Sequence, residues 1–399
     1  MKKLKKRLGS VLSILLLTGL LASAPLSASE PGPEPESLPA NAQETAGPSI
    51  SAKSGLLMDC TTGAVLYEKN PHEAMPPASI TKIMTMLLVM EALEDGTLTM
   101  DEQVTASAHA ASMGGTQIWL REGEQMTVRD LLKATAVASA NDAAMALAEH
   151  VGGSEEAFVD RMNSRAAELG MADTKFCNPT GLDAEGHVSS AYDIALMSRE
   201  LLSHPEIREF TSIWMDSLRE GKTELVNTNK LVRFYQGCTG LKTGTTDGAG
   251  SCVSVSATRE DMSLISVVMG CATSKERFGS ARQLLDYGFG TFTMYRTGVS
   301  SDSLAPVKVV GGVEPVVEVE TDAGGLIILR KGTEQSVLEE MQVLPEVEAP
   351  IEAGQVLGQI RLSIDGEELA VFQVRARASV ERLTWQRSFA DLFLRMVAL

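Results

Sequence analysis

The stretch Pro76-Pro77-Ala78-Ser79-Ile80-Thr81-Lys82-Ile83-Met84-Thr85-Met86-Leu87-Leu88-Val89-Met90 runs from a pair of prolines straight into an apolar helix. Apolar residues recur three and four apart from Thr81 to Leu93, so Ser79 stands in the first turn and Lys82 one turn on, on the same face. A serine hydroxyl needs a base before it can attack a carbonyl. A lysine can serve only where desolvation or a neighbouring cation keeps it neutral part of the time. The same spacing also suits an ordinary helix start with an N-cap serine, so the pair gains weight only from what accompanies it.

Two further groups accompany it. Ser139-Ala140-Asn141 falls inside a helical pattern expected over 128–150, and Lys242-Thr243-Gly244-Thr245 follows on a strand expected over 239–245. Ser139 can relay a proton to a leaving group, Asn141 can hold Lys82 or a substrate amide, and Lys242 with Thr243 offers a cationic, hydroxyl-lined site for a carboxylate. The five histidines (His72, His109, His150, His187, His204) stand singly and there is no Gly-x-Ser-x-Gly elbow, so they read as surface or locally bonded groups.

Working outward, residues 54–69 form a hairpin about Thr61-Thr62-Gly63. Helices are expected over 81–93, 128–150, 155–169 and 190–202, and strands return at 239–245, 251–258 and 263–269 before a helix near 280–287. Strands, a helical insertion, strands and a closing helix make an α/β domain with a mainly antiparallel sheet, expected over 51–296. Beyond it, Val-rich runs at 307–310, 316–319, 326–329 and 369–374 predict a small all-β domain over 297–381. Trp385, Phe389, Leu392, Phe393 and Met396 then recur at helical spacing, an amphipathic helix over 382–399 that reads as a membrane-surface anchor or as a helix packed on the domain before it.

At the other end, Lys2, Lys3, Lys5, Lys6 and Arg7 precede an apolar run from Val11 to Leu21 and the small residues Ala22, Ser23, Ala24, Ser27 and Ala28. This is a secretory signal over 1–28, cut after Ala28 because Pro25 obstructs a cut after Ala24. Residues 29–50 hold five prolines and four Glu with no Lys or Arg, a flexible linker. A formal charge of -17 excludes a protein that tracks nucleic-acid phosphates. Five cysteines, none in a Cys-x-x-Cys pair, imply no disulfide scaffold or zinc site, although Cys252 and Cys271 come within reach of each other if the turn at 259–262 is tight.

Together the three groups resemble the active-site triplet of the penicillin-recognising serine enzymes. Ser139-Ala140-Asn141-Asp142-Ala143-Ala144, Asn178-Pro179-Thr180-Gly181-Leu182, Ser190-Ala191-Tyr192-Asp193 and Gly240-Leu241-Lys242-Thr243-Gly244 narrow the resemblance to low-molecular-weight penicillin-binding proteins, the D-alanyl-D-alanine carboxypeptidases. The resemblance implies a β-lactamase/transpeptidase-like domain and removal of the terminal D-alanine from peptidoglycan stem peptides through a Ser79 acyl-enzyme. Ser79, Lys82, Ser139 and Asn141 would be catalytic, while Lys242, Thr243, Gly244 and Thr245 would bind substrate. It also implies β-lactam antibiotics as covalent ligands, no cofactor or metal, a role in cell-wall biogenesis and cell shape, and a place at the outer face of the cytoplasmic membrane. Oxyanion donors would be the backbone N–H groups of Ser79 and Thr245. In two places the chain departs from some members: Thr245 stands where they have His, and Asn227-Thr228-Asn229 where they have Asn-Arg-Asn. These leave open which arginine assists the carboxylate, with Arg233 as a substitute to consider.

Overall fold

The computed structural model describes residues 47–321, 326–387 and 389. The signal sequence, nearly all of the linker and most of the C-terminal helix expected from the sequence lie outside them. Among the described residues no helix is long and apolar enough to cross a membrane.

Five antiparallel strands form the central sheet, in the order Val65–Lys69, Ser54–Asp59, Met262–Cys271, Gly250–Arg259, Cys238–Thr246. Its inner strands are buried on both faces, the small hydroxyls Ser254, Ser256 and Ser266 included. With period two, Leu56, Met58, Ile265, Val267 and Met269 enter a core shared with the helical insertion. Leu57, Val253, Val255, Leu264 and Val268 enter a second core under the helix Ser274–Thr291. Ile50, which composition assigns to the linker, is buried in that second core.

This alternation also decides the cysteine question. Cys252 alternates with Val253 into the first core, whereas a bulge before Cys271, three residues against two between the pairs Val253/Val268 and Ser251/Cys271, turns Cys271 into the second. The two thiols therefore face opposite sides of the sheet, and all five cysteines are free.

The insertion differs from expectation at one informative place. Instead of a helix over 128–150 there are two, Val128–Val137 and Asn141–Gly152. Ser139 between them has φ 64° and Ala140 is extended. Apolar periodicity continues across the break, so pattern alone does not register it.

The C-terminal part is all-β. A three-stranded sheet (Val316–Val317, Val307–Val310, Glu346–Glu348) and a four-stranded one (Val319–Thr321, Glu367–Ala376, Val356–Ile364, Leu338–Val343) enclose their own core. The run expected as one strand over 316–319 divides between the two sheets. Strand Phe292–Arg296, from the end of the first domain, pairs with Leu326–Arg330 and ties the two parts together.

Candidate active site

Ser79 lies in a 3-10 turn, Ala78–Thr81, that leads into the helix Lys82–Glu94. Lys82 is fully buried, and its Nζ reaches three oxygens: Asn141 Oδ1 at 2.6 Å, the Thr180 carbonyl at 2.6 Å and Ser79 Oγ at 3.1 Å. Burial pushes its pKa well below the ordinary lysine range, the charge of Lys242 adds to this, and the Asp142 carboxylate opposes it. A neutral amine has two N–H groups and a lone pair. The two short bonds take the N–H groups and leave the lone pair for the Ser79 hydroxyl.

Asn141 opens its helix at the break after Ser139. Its Oδ1 accepts from Lys82 while its Nδ2 donates to the Gly114 carbonyl at 2.7 Å, so both ends of the amide are fixed. Of the two roles expected for Asn141, holding Lys82 is the one visible. Beside it the buried Asp142 carboxylate accepts the backbone N–H groups of Ile118 and Leu120. Ser139 is only 6% exposed, held in its left-handed conformation between the two helices.

The strand Cys238–Thr246 brings the third group to the edge of the sheet. Gly244 is required there: a Cβ would stand 2.8 Å from the Pro77 carbonyl and 3.1 Å from the Ile80 nitrogen, so only glycine lets the strand approach the turn that carries Ser79. Lys242 is fully buried and its pKa falls to about 7, from burial first and the charge of Arg277 second. Thr243 Oγ1 donates to Thr228 Oγ1 at 2.7 Å.

Arg277 is the cation that sequence reasoning missed. It reaches the edge strand from the first turn of the helix Ser274–Thr291, where Nη1 donates to Thr245 Oγ1 at 3.0 Å and to the Gly244 carbonyl at 3.1 Å. Arg233 is instead exposed and stacks over the Trp214 and Phe234 rings. The one local signal was the capping box Thr273/Glu276, which marks a helix start and says nothing of what its first turn faces.

The Asn178-Pro179-Thr180-Gly181-Leu182 stretch supplies a second missed part. Asn178 Oδ1 accepts from Thr180 N and Gly181 N, shaping a turn that aims the Thr180 carbonyl at Lys82. Gly181 has φ 80°, and a Cβ there would fall 1.9 Å from the Ala78 carbonyl oxygen.

Two family models match the chain. The family model described as D-alanyl-D-alanine carboxypeptidase matches residues 41–273, and the one described as penicillin-binding protein 5, C-terminal domain, matches 289–382. The chain is 46% identical over 335 residues to D-alanyl-D-alanine carboxypeptidase DacF of Bacillus subtilis, covering 83% of this chain and 86% of that protein. It is 34% identical to DacC of Escherichia coli, covering 82% and 84%. Among solved structures, penicillin binding protein 5 from Haemophilus influenzae superposes with a TM-score of 0.78 at 31% identity, over 85% of this chain and all of that one. Penicillin-binding protein D2 from Listeria monocytogenes, solved with ampicillin bound, covers 61% of this chain and all of that one, at 35% identity and a TM-score of 0.54. With both parts of the chain matched and the serine, lysine and edge-strand groups converging on one site, this chain belongs to the D-alanyl-D-alanine carboxypeptidase family of low-molecular-weight penicillin-binding proteins.

Proposed function

We propose that the chain is a serine-type carboxypeptidase that removes the terminal D-alanine from peptidoglycan stem peptides, and that Ser79 is its nucleophile. The observation that carries this is the environment of Lys82: a buried amine with two short acceptors and its third contact on Ser79 Oγ. The Ser79 proton passes to Lys82 as Oγ attacks the penultimate carbonyl. The resulting oxyanion is held by the backbone N–H groups of Ser79 and Thr245. The C–N bond then breaks, the proton reaches the leaving amine through Ser139, and D-alanine departs. Water attacks the ester, giving one proton to Lys82 and through it back to Ser79 Oγ, which restores the enzyme.

Lys242, Thr243 and Thr245, with Arg277 behind them, receive the free carboxylate of the substrate, and Gly244 gives the edge strand its close approach. A β-lactam carries a reactive amide and a carboxylate in a similar relation and acylates the same serine. Residues 1–28 direct export, and the linker that follows, ending short of the buried Ile50, serves as a tether. The domain boundary lies near 296/297, and 382–399 hold the enzyme at the outer face of the cytoplasmic membrane, where Trp385 and Phe389, 76% and 65% exposed, would enter the lipid interface.

Incubating the protein with a tripeptide ending in D-Ala-D-Ala and measuring free D-alanine tests the activity. Release by the wild type and not by Ser79→Ala supports it, and release that persists in Ser79→Ala refutes the assignment of the nucleophile.

A further inference from the structure

His187 belongs to none of the three motif groups, and as a lone histidine it reads as a surface or locally bonded residue. The structure places it elsewhere: it is 3% exposed and spans two segments of the site. Its Nδ1 accepts the backbone N–H of Cys177 at 2.9 Å, and its Nε2 lies 2.8 Å from Thr81 Oγ1. A backbone N–H can only donate, so Nδ1 carries no proton and the ring hydrogen sits on Nε2, which donates to Thr81. Thr81 in turn donates its own hydrogen to the Ala78 carbonyl at 2.8 Å. The result is a one-way chain, from Cys177 N–H through the imidazole and the Thr81 hydroxyl to the peptide that precedes Ser79.

Both ends of this chain matter to the site. Cys177 directly precedes Asn178, which shapes the turn whose Thr180 carbonyl accepts from Lys82. Ala78 has φ 50°, a conformation a residue with a Cβ holds only when its surroundings impose it. Gly181 packs against that carbonyl from one side. The Thr81 hydroxyl supplies its hydrogen bond. We propose that His187 is a positioning residue for acylation: by relaying a fixed direction of hydrogen bonding through Thr81, it holds the Ala78-Ser79 peptide and the Lys82-binding turn in register. This rests on the carboxypeptidase reading above. Burial keeps the imidazole neutral, with its pKa down at about 4 and the nearby Asp183 carboxylate opposing the shift, so the direction of the chain persists at neutral pH.

The test uses the full-length protein with His187→Asn and His187→Gln. Asparagine can keep an acceptor for Cys177 N–H but is too short to reach Thr81. Glutamine reaches Thr81 with an N–H donor. Stopped-flow acylation by a fluorescent penicillin should show the saturating rate falling at least about tenfold in the Asn variant, with little change in half-saturating concentration or Tm, and returning to within about threefold of wild type in the Gln variant. Thr81→Val should resemble His187→Asn, and the double variant should be no slower than either single one, because the two act in one chain. An Asn variant that acylates at the wild-type rate would overturn the proposal. So would Asn and Gln variants that lose rate equally and in step with Tm, the mark of a merely structural histidine. A wild type that is never acylated would overturn both this proposal and the carboxypeptidase reading, whereas normal wild-type acylation with an unaffected Asn variant removes this proposal alone.

Discussion

Asn141→Asp is a near-isosteric change that should turn the general base off by electrostatics alone. The Asn141 Oδ1 stands 2.6 Å from Lys82 Nζ. A unit negative charge at that distance, taken at an effective dielectric of about 20, stabilises the ammonium by about 6 kcal/mol. Relaxation and the lost Nδ2 bond to the Gly114 carbonyl reduce the figure, yet half of it still raises the Lys82 pKa by about 2 units, at 1.36 kcal/mol per unit. Lys82 must shed its proton before it can take the one on Ser79. Below its pKa the neutral fraction falls tenfold per unit, so on the acid limb, at pH below the Lys82 pKa of both proteins, acylation should drop about 100-fold. The measurement is the rate of Ser79 acylation by a fluorescent penicillin from pH 5 to 10, for wild type, Asn141→Asp and Asn141→Ala. The Asp variant should regain activity as pH rises, its acid limb displaced upward by about 2 units or more. Asn141→Ala, which orphans a buried donor without adding charge, should lose rate with no such displacement. A loss in Asn141→Asp that is the same at every pH would refute the assignment of Lys82 as the neutral base.

Other outcomes follow from the same geometry. With the Lys242 pKa at about 7, the free enzyme loses that cation as pH rises through neutrality, so kcat/KM for a substrate with a free C-terminal carboxylate should decline above about pH 7. The C-terminal amide should show no such decline, and identical profiles for acid and amide would count against Lys242 as the carboxylate site. Arg277→Gln should cost the acid substrate about tenfold in kcat/KM and the amide much less, a difference read by the same D-alanine assay. Gly181→Ala places a Cβ 1.9 Å from the Ala78 carbonyl oxygen and should abolish penicillin labelling; a variant that labels at the wild-type rate would show the nucleophile turn to be freely adjustable.

Much of this protein was legible in the chain because the relevant signals are local. The hairpin about residues 61–63, the strands near 239–269 and most of the helices announce themselves by period, stop and cap, and the three motif groups mark the site because each residue type does one chemical job. Expectation failed where two structures share one pattern. Apolar spacing runs unbroken from Val128 to His150, yet Ser139 turns the backbone to φ 64° because Asn141 and Asp142 must reach Gly114 and the backbone of Ile118 and Leu120. Strands Leu338–Val343 and Val356–Ile364 went unread because they are not Val-rich runs, and in the first of them no residue is fully buried.

The order of residues names the groups able to react: one serine with a lysine a turn away, a second serine and amide, and a lysine-threonine edge. Their state comes from packing between distant parts of the chain. Lys82 and Lys242 lie far apart in the chain, and each is an ordinary lysine until burial removes water from its amine and brings the other cation or Arg277 within reach. The same holds for Arg277, Thr180 and His187, whose parts depend on contacts across long stretches of chain that no spacing encodes. Local pattern follows from the geometry of a single helix or strand, whereas a pKa or a hydrogen-bond direction follows from everything packed around the group.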